Sequence, residues 1–463
     1  MISRFDLDER VREWGLREDV VEKDYVLGWV LWGIGADPVL SQNWTFKGGT
    51  CLKKCYLETY RFSEDLDFTV MPEGPILADD LHPVLARVLA NVNAESGIDF
   101  SGRAPLLKTH KSGRYTEGRI YYTGPRGSPM VASIKLDLSG SEKIVRPTVL
   151  QPIVHSYPDE LPAPATVRCY SFEEVFAEKI RAMGERGRPR DLYDIVNLYR
   201  RDDLANAPAA VKSALIDKCR TKGVPIPTYE SVSAAVILEE LETEWVQMLG
   251  HQLPALPRLE DFWAELPRLF QWLEGAVSRQ RLAPVAAGTS EDLNPEWTPP
   301  PMVSTWGGRV PLESVRFAAA NRLCVNLGYQ GSVRTIEPYS LRQTRAGNLL
   351  LFAVKAESSE LRAYRVDRIE SVQITNRMFA PRFAIEFSLG GPLIAPSAAR
   401  TAPSRPARST GRFLTGPIYI VECPFCRKKF RRSTRNLRLN QHKTQDGFPC
   451  PGSGRNGHIA AVE

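Results

Sequence analysis

The chain has no hydrophobic run long enough to cross a bilayer. The longest, VLGWVLWGI at 26–34, stops far short of the roughly 20 apolar residues that a spanning helix needs. Its first residues, MISRFDLDER, contain no apolar signal core, so a cytoplasmic protein without membrane contact is expected. Cysteines are few and scattered, eight in 463 residues, and in a reducing compartment that scatter argues against a disulfide framework. Cys51 and Cys55 stand four apart on one face of a predicted helix, where plain helix packing is the expectation. Neither an internal repeat nor a helix-turn-helix pattern is visible. Excess charge of one sign is also small, +6 in all. It is unevenly placed, because the C-terminal end is strongly basic around CRKKFRRSTRNLRLNQHK.

What is present is the composition of a folded protein, 43% hydrophobic and 25% charged residues. The length exceeds what one core commonly supports, so a multidomain α+β architecture is expected. Residues 1–281 read as one α+β domain. Its predicted helices include DVVEKDYVLGWVLWGI, ADDLHPVLARVLANVNAE, SFEEVFAEKIRAMGER, RDLYDIVNLYRR and SVSAAVILEELETEWVQML, and its predicted strands DLDFTV, GRIYYTG and ASIKLDLS. A linker rich in proline and small residues covers 282–308. Residues 309–391 then give one helix, PLESVRFAAANRL, and the alternating runs LCVNLGYQG, VRTIEPYSLRQT, NLLLFAVKA, LRAYRVDRIESVQIT and FAIEFSL, which predict a small barrel or curled sheet. A second linker at 392–414 has too few large apolar residues to pack, and a cysteine-bearing tail occupies 415–463.

The stretch FKGGTCLKKCYLETYRFSEDLDFT at 46–69 carries the first chemistry. In a strand, Arg61, Ser63, Asp65 and Asp67 share one face while Phe62, Leu66 and Phe68 point the other way. Carboxylates at i and i+2 repel unless a cation or metal sits between them, and Mg²⁺ takes such ligands together with substrate phosphates. Gly48 and Gly49 let the backbone approach a phosphate, and Thr50 at a helix start offers an N-cap hydroxyl. The alternative is an ordinary surface strand after a tight turn.

The full string, GGT, then about nine helical residues, then RFSEDLDF, resembles the active-site signature of the AbiEii/AbiGii toxin branch of the DNA polymerase beta-like nucleotidyltransferases. VVEKDYVLGWVL at 20–31, IKLDLS at 134–139 and KIRAMGERGRPRDLYDIVNL at 179–198 are similar to further family motifs in the same order, so that the resemblance covers about residues 15–275. It implies that Gly48, Gly49 and Thr50 hold a triphosphate, that Asp65 and Asp67 bind Mg²⁺ with Ser63 and Arg61 in support, and that Asp137 is the third carboxylate. Asp137 also lies on the strand face of Lys135, which leaves an ion pair open. Lys179 and Arg186 match the family's downstream basic positions, and at i and i+7 they lie on one side of a helix. Asp191 matches a base or metal-organising carboxylate. Asp194 would share that role, cap the helix, or hold an arginine such as Arg190. Lys23 reads as a helix-surface or ion-pair residue.

Residues from VNLGYQG through MFAPRF resemble a WYL domain, an SH3-like barrel that in its family binds a nucleotide or nucleic-acid ligand and regulates its neighbour. The W-Y-L tripeptide itself is replaced by PYSL. Arg334, Tyr339, Arg342, Arg362 and Arg365 are the expected ligand contacts, since guanidinium and phenol groups suit phosphates and bases; the alternative is a solvated basic face. In the tail, Cys423 and Cys426, then His442 and Cys450, have the donor types of a tetrahedral structural Zn²⁺ site, with His458 as a rival fourth ligand. The tail resembles a zinc ribbon, and Arg427, Lys428, Lys429, Arg431, Arg432, Arg435 and Arg438 interleaved with Phe425 and Phe430 suit nucleic acid or form a solvated charge run.

Taken together, the resemblance implies an Mg²⁺-dependent, toxin-like nucleotidyltransferase. It would move a nucleotide from an NTP to the 3′ end of tRNA, another RNA or a protein hydroxyl by in-line attack with release of pyrophosphate. Toxin–antitoxin pairing, abortive infection or phage defence would be its setting, with an antitoxin protein as a partner. The alternative is a non-catalytic regulator that uses the transferase fold as a scaffold.

Overall fold

The structure is a computed structural model. It describes residues 1–57, 61–201, 208–279, 282–285, 292–294, 297, 312–387 and 419–432, and beyond these 435, 437–439, 442, 444, 450–453 and 455–462. Two compact units are present, Met1–Ala395 and Pro396–Glu463.

The first unit opens with helices α1 (Arg4–Trp14), α2 (Glu18–Ala36) and α3 (Leu40–Asn43). Ser3 and Asp6 close a reciprocal capping box at the start of α1. A seven-stranded mixed sheet follows, built from β1 (Trp44–Lys47), β2 (Asp65–Val70), β3 (Leu106–Thr109), β4 (Tyr115–Tyr122), β5 (Ala132–Ser139), β6 (Val149–Pro152) and β7 (Thr166–Cys169) in the order β3-β4-β5-β2-β1-β7-β6. Between β1 and β2 the chain makes the one-turn α4 (Gly48–Cys51) and a π-turn over Leu52–Tyr56; α5 (Ala78–Ser96) follows β2. Period-two alternation decides which face is buried: Leu66, Phe68, Ile134, Leu136 and Leu138 are fully covered by a core shared with α1, α2 and α5. Cys51, Cys55 and Cys169 join that core as free thiols.

A helical half comes next: α6 (Phe172–Arg186), α7 (Pro189–Tyr199), α8 (Pro208–Lys222), α9 (Tyr229–Ala235), α10 (Leu238–Leu249), α11 (Leu259–Trp263) and α12 (Leu266–Leu273). The single helix expected over SVSAAVILEELETEWVQML is two helices, because the adjacent β-branched residues Val236 and Ile237 are extended. After α13 (Leu312–Ala320), strands β8 (Leu323–Tyr329), β9 (Ser332–Gln343), β10 (Leu349–Lys355), β11 (Leu361–Arg365) and β12 (Ile369–Met378) form an antiparallel sheet in the order β11-β10-β9-β8-β12. The run LRAYRVDRIESVQIT is thus two strands with a 3₁₀ turn over Val366–Arg368 between them. FAIEFSL contributes no strand within its described residues, only a bridge from Glu386 to Ser340. Most of the first linker and all of 392–414 lie outside the described residues.

One apolar core runs without a break from the helical half into this sheet, with Tyr193, Leu269 and Leu273 in the same cluster as Val315, Leu323 and Ile336. The second unit is a three-stranded sheet of β13 (Tyr419–Glu422), β14 (Lys429–Arg432) and β15 (His458–Val462), ordered β14-β13-β15. Among the described residues, no helix is long and apolar enough to cross a membrane.

Candidate active site and metal centre

Strand parity assembles the acidic face. In the parallel pairing of β2 and β5, Asp65 stands beside Lys135 and Asp67 beside Asp137, all on the side opposite the buried leucines and Phe68. Burial, together with the neighbouring charges of Asp137 and Asp65, pushes the Asp67 carboxyl up to about 6 against the pull of Lys47. Asp65 is raised by burial and by Asp137. Such a cluster favours a bound cation. Asp137 does take its expected ion pair, with Lys135 Nζ at 2.6 Å, and accepts from the Tyr115 hydroxyl at 3.0 Å, yet it remains in line with the two aspartates of β2.

The glycine turn is pressed against these carboxylates. Gly48 is left-handed at φ 81, and a Cβ there would stand 2.4 Å from Asp67 Oδ2; a Cβ at Gly49 would stand 2.6 Å from an Arg61 nitrogen. Only glycine satisfies both the backbone angle and the space at position 48. Three expectations need correction here. Thr50 is not an N-cap: Lys47 holds that position, and Thr50 sits inside the turn with its hydroxyl donating to the Asp65 carbonyl at 2.5 Å. Arg61 and Ser63 precede the strand, which begins at Asp65. Arg61, 2% exposed, faces inward and bonds both oxygens of Asp194 at 2.8 and 2.9 Å and Gln252 at 3.1 Å. It therefore braces the site from beneath rather than meeting a nucleotide.

Helices α6 and α7 supply the cations. Ser171 caps α6, left-handed Gly187 ends it, and Pro189 starts α7. The expected ridge of Lys179 and Arg186 is present, but each cation already meets an aspartate of α7. Lys179 Nζ lies 2.7 Å from Asp194 and 3.9 Å from Asp191. Arg186 grips Asp191 through both oxygens at 2.7 and 2.9 Å. Asp191 has no exposed surface, so it positions Arg186 and is not placed to take a substrate proton. Against the cost of burial, Arg61 and Lys179 hold Asp194 well below the usual carboxylate range. The pairing of Asp194 with Arg190 is replaced by those two contacts. Arg190, weighed in the sequence only as a partner for Asp194, is left differently placed. Its Nε is buried without a hydrogen-bond partner, and burial and Arg61 lower its basicity while Asp65 and Asp194 counter them. Lys23 forms the expected ion pair, to Glu64 at 2.5 Å.

In the WYL-like sheet, Tyr339 is a core residue with no exposed surface, its hydroxyl donating to Glu337 at 3.1 Å. That burial removes it from the expected ligand contacts. Arg342 is tied to the buried Glu386 at 2.6 Å. Arg334 donates to the Tyr329 carbonyl at 2.6 Å, Arg362 pairs with Glu360 at 2.6 Å, and Arg365 with Asp367 at 2.7 Å.

In the second unit, ligand atoms of Cys423, Cys426, His442 and Cys450 all lie within 4.8 Å of one another. A Cβ at Gly452 would stand 2.4 Å from the Cys423 sulfur, so only glycine lets the backbone pack this closely on the thiols, where its N–H donates to the Cys450 sulfur at 3.4 Å. Despite its burial, backbone N–H groups of Cys426 and Phe425 lower the Cys423 thiol to about 6, which suits a thiolate ligand. His458 is exposed on β15 opposite Glu422 and is not part of the group. Of the basic run, Arg435 lies over the Tyr419 ring, and the side chains of Arg431 and Arg432 lie outside the described residues; Arg455, beyond the run, lies over Phe425.

The family model described as "Nucleotidyl transferase AbiEii toxin, Type IV TA system" matches residues 29–273, and a WYL domain model matches 311–374. No curated protein matches. Among solved structures, MenT4, a nucleotidyltransferase toxin from Mycobacterium tuberculosis H37Rv, aligns with a TM-score of 0.41 at 22% identity over 59% of this chain and 90% of its own. Proteasome accessory factor B/C of Arthrobacter aurescens aligns with a TM-score of 0.15 at 14% identity over 79% of this chain and 73% of its own.

Proposed function

Since the chain belongs to the AbiEii nucleotidyltransferase toxin family, we propose that it is an Mg²⁺-dependent toxin that transfers a nucleotide from an NTP to a hydroxyl of RNA, with the tRNA 3′ end as the leading acceptor. One observation carries the reading: Asp65, Asp67 and Asp137 share a face beside the Gly48 turn, where burial and mutual repulsion raise Asp65 and Asp67. When bound there, Mg²⁺ would neutralise the triphosphate and acidify the attacking hydroxyl. The chain's own part is positioning. The Gly48–Gly49 backbone admits a phosphate closely, Arg186, held by Asp191, and Arg190 offer cations to it, and Lys179 is kept in place by Asp194. The presence of Asp65, Asp67 and Lys179 at one site weighs against a purely regulatory role.

In this reading the transferase occupies 1–281, a WYL ligand sensor 309–391 and a ribbon 415–463. Arg334, Arg362 and Arg365 remain its nucleotide or nucleic-acid contacts. The ribbon's basic surface binds nucleic acid, and the protein acts in the cytoplasm, where NTPs and tRNA meet. An antitoxin partner belongs to the same reading.

The full chain, incubated with each labelled NTP, Mg²⁺ and total tRNA, is expected to label RNA with one NTP and to stop in EDTA. Label on protein alone moves the acceptor to a protein hydroxyl, and no transfer to either overturns the reading. In the same assay Arg190→Met is expected to raise the KM for the NTP about tenfold, the loss of one charge-assisted contact. An unchanged KM places Arg190 outside the nucleotide site. For the ribbon, Cys423, Cys426, His442 and Cys450 are proposed to hold structural Zn²⁺. Elemental analysis of the fresh protein is expected to find about one zinc per chain, falling sharply in Cys450→Ser. A value far below one rejects the site.

A further inference from the structure

We infer that Asn321, contributed by the WYL-like part, is a positioning residue for the catalytic helix α7; this rests on the transferase reading above. Tyr193 lies on α7 between Asp191 and Asp194, and its hydroxyl donates to Asn321 Oδ1 at 2.6 Å. Both side chains are buried, with at most 1% of Asn321 exposed. Asn321 follows α13 directly, and its own Nδ2 donates to the Phe317 carbonyl of that helix at 3.0 Å. The acceptor oxygen is thus aimed by α13, outside the transferase segment.

Helical geometry gives this bond its leverage. Successive residues are about 100° apart around the axis, so Tyr193 projects roughly a quarter turn from the side on which Asp194 meets Arg61 and Lys179. The helix is gripped from two directions, by the active-site cations on one and by Asn321 on the other. A second tie closes its C-terminal end. Arg200 bonds Glu265 at 3.1 and 2.6 Å, reaches the Asn321 carbonyl at 3.4 Å and touches the Met378 sulfur at the end of β12 at 3.7 Å. The next residue of the turn, Arg322, is left-handed at φ 57, lies near the same Glu265 at 3.4 Å, and accepts from Phe379 N at 2.9 Å. A non-glycine residue there costs of order 1 kcal/mol and persists only where its surroundings hold it. The turn at 321–322 is therefore the point at which α13, β8 and the end of β12 meet α7. A ligand that shifts β8 or β12 bears on the active site through this turn.

Loss of the bond rotates or loosens α7, and misplacement of about 1 Å commonly costs on the order of 10²-fold in rate. The test compares Tyr193→Phe, Asn321→Leu and the double variant of the full chain. Each is assayed by steady-state transfer, thermal unfolding and hydrogen exchange over residues 189–199. Each single leaves a buried polar group unsatisfied and loses stability, whereas the double removes both groups and recovers much of it. If the bond positions α7, turnover in all three variants falls about tenfold or more, with the KM for the NTP little changed, and exchange in α7 is faster even in the restored double. Turnover that recovers along with stability in the double overturns the inference, as does unchanged exchange in α7. Should the wild type show no transfer, the proposed reaction fails, and the exchange data alone then decide the positioning role.

Discussion

Asp67→Asn is expected to lower turnover by about 10²–10³-fold, the scale of removing one preorganised electrostatic group from a reacting centre, and at the same time to stabilise the metal-free protein. The side chain keeps its shape, so its packing against Gly48 survives, while the charge that would hold a cation is gone. The stabilisation follows from the raised carboxyl. Its folded value of about 6 stands above the ordinary 3.8, so above pH 6 the folded state carries a charge it disfavours. As the pH falls through 6 toward 4 the folded carboxyl takes up its proton before the unfolded one does, and that cost fades. Thermal melts in EDTA should therefore show the variant more stable than wild type by on the order of 1 kcal/mol at pH 8, with the gap closing near pH 4. Retained turnover, or a wild type at least as stable as the variant at pH 8, would sink this account of the acidic face.

Asp194→Ala is expected to cost about 3–5 kcal/mol in urea unfolding and to remove activity as well. The side chain is fully buried between Arg61 and Lys179, so truncation leaves two buried cations facing each other across a void. Helix propensity cannot explain the loss, because alanine is the better helix former. Arg186→Ala offers the contrast. Its side chain is 57% exposed and Lys179 stays 3.9 Å from the Asp191 it leaves behind, so a smaller cost than at Asp194 is expected there. A loss at Asp194 no larger than at Arg186 would mean that the buried triad does not organise the two helices.

The acidic face is legible in the sequence because it depends on parity alone. DLDFTV and ASIKLDLS form strands over the residues expected, and alternation then sends Asp65, Asp67 and Asp137 one way and the leucines the other. Lys179, Arg186, Asp191 and Asp194 are legible as a group by helical spacing and motif order. Their individual partners are not. Arg61 reaches Asp194 across 133 residues of sequence, and the strand face expected for Arg61 fails because the strand starts only at Asp65. Tyr339 fails for a related reason: the alternation expected in β9 gives way to a run buried on both faces over residues 336–341, so Tyr339 lies in the core. The four-residue strands β1, β3, β6 and β7 carry too few residues for a period to show, and the break at Val236–Ile237 interrupts a run whose apolar spacing is otherwise helical.

Family resemblance and motif order were enough for the transferase motifs and the WYL-like strands, strand parity for the side on which each aspartate lies, and donor type for the cysteine group. Folding in three dimensions chose His442 over His458, turned Arg61 inward to Asp194, buried the Arg190 Nε without a partner, and joined the helical half to the following sheet through one core and the Tyr193–Asn321 bond. Apart from Arg190, those outcomes are pairings between distant segments. Burial selects them by which buried charge or polar atom finds a matching group, and no spacing along the chain encodes that match.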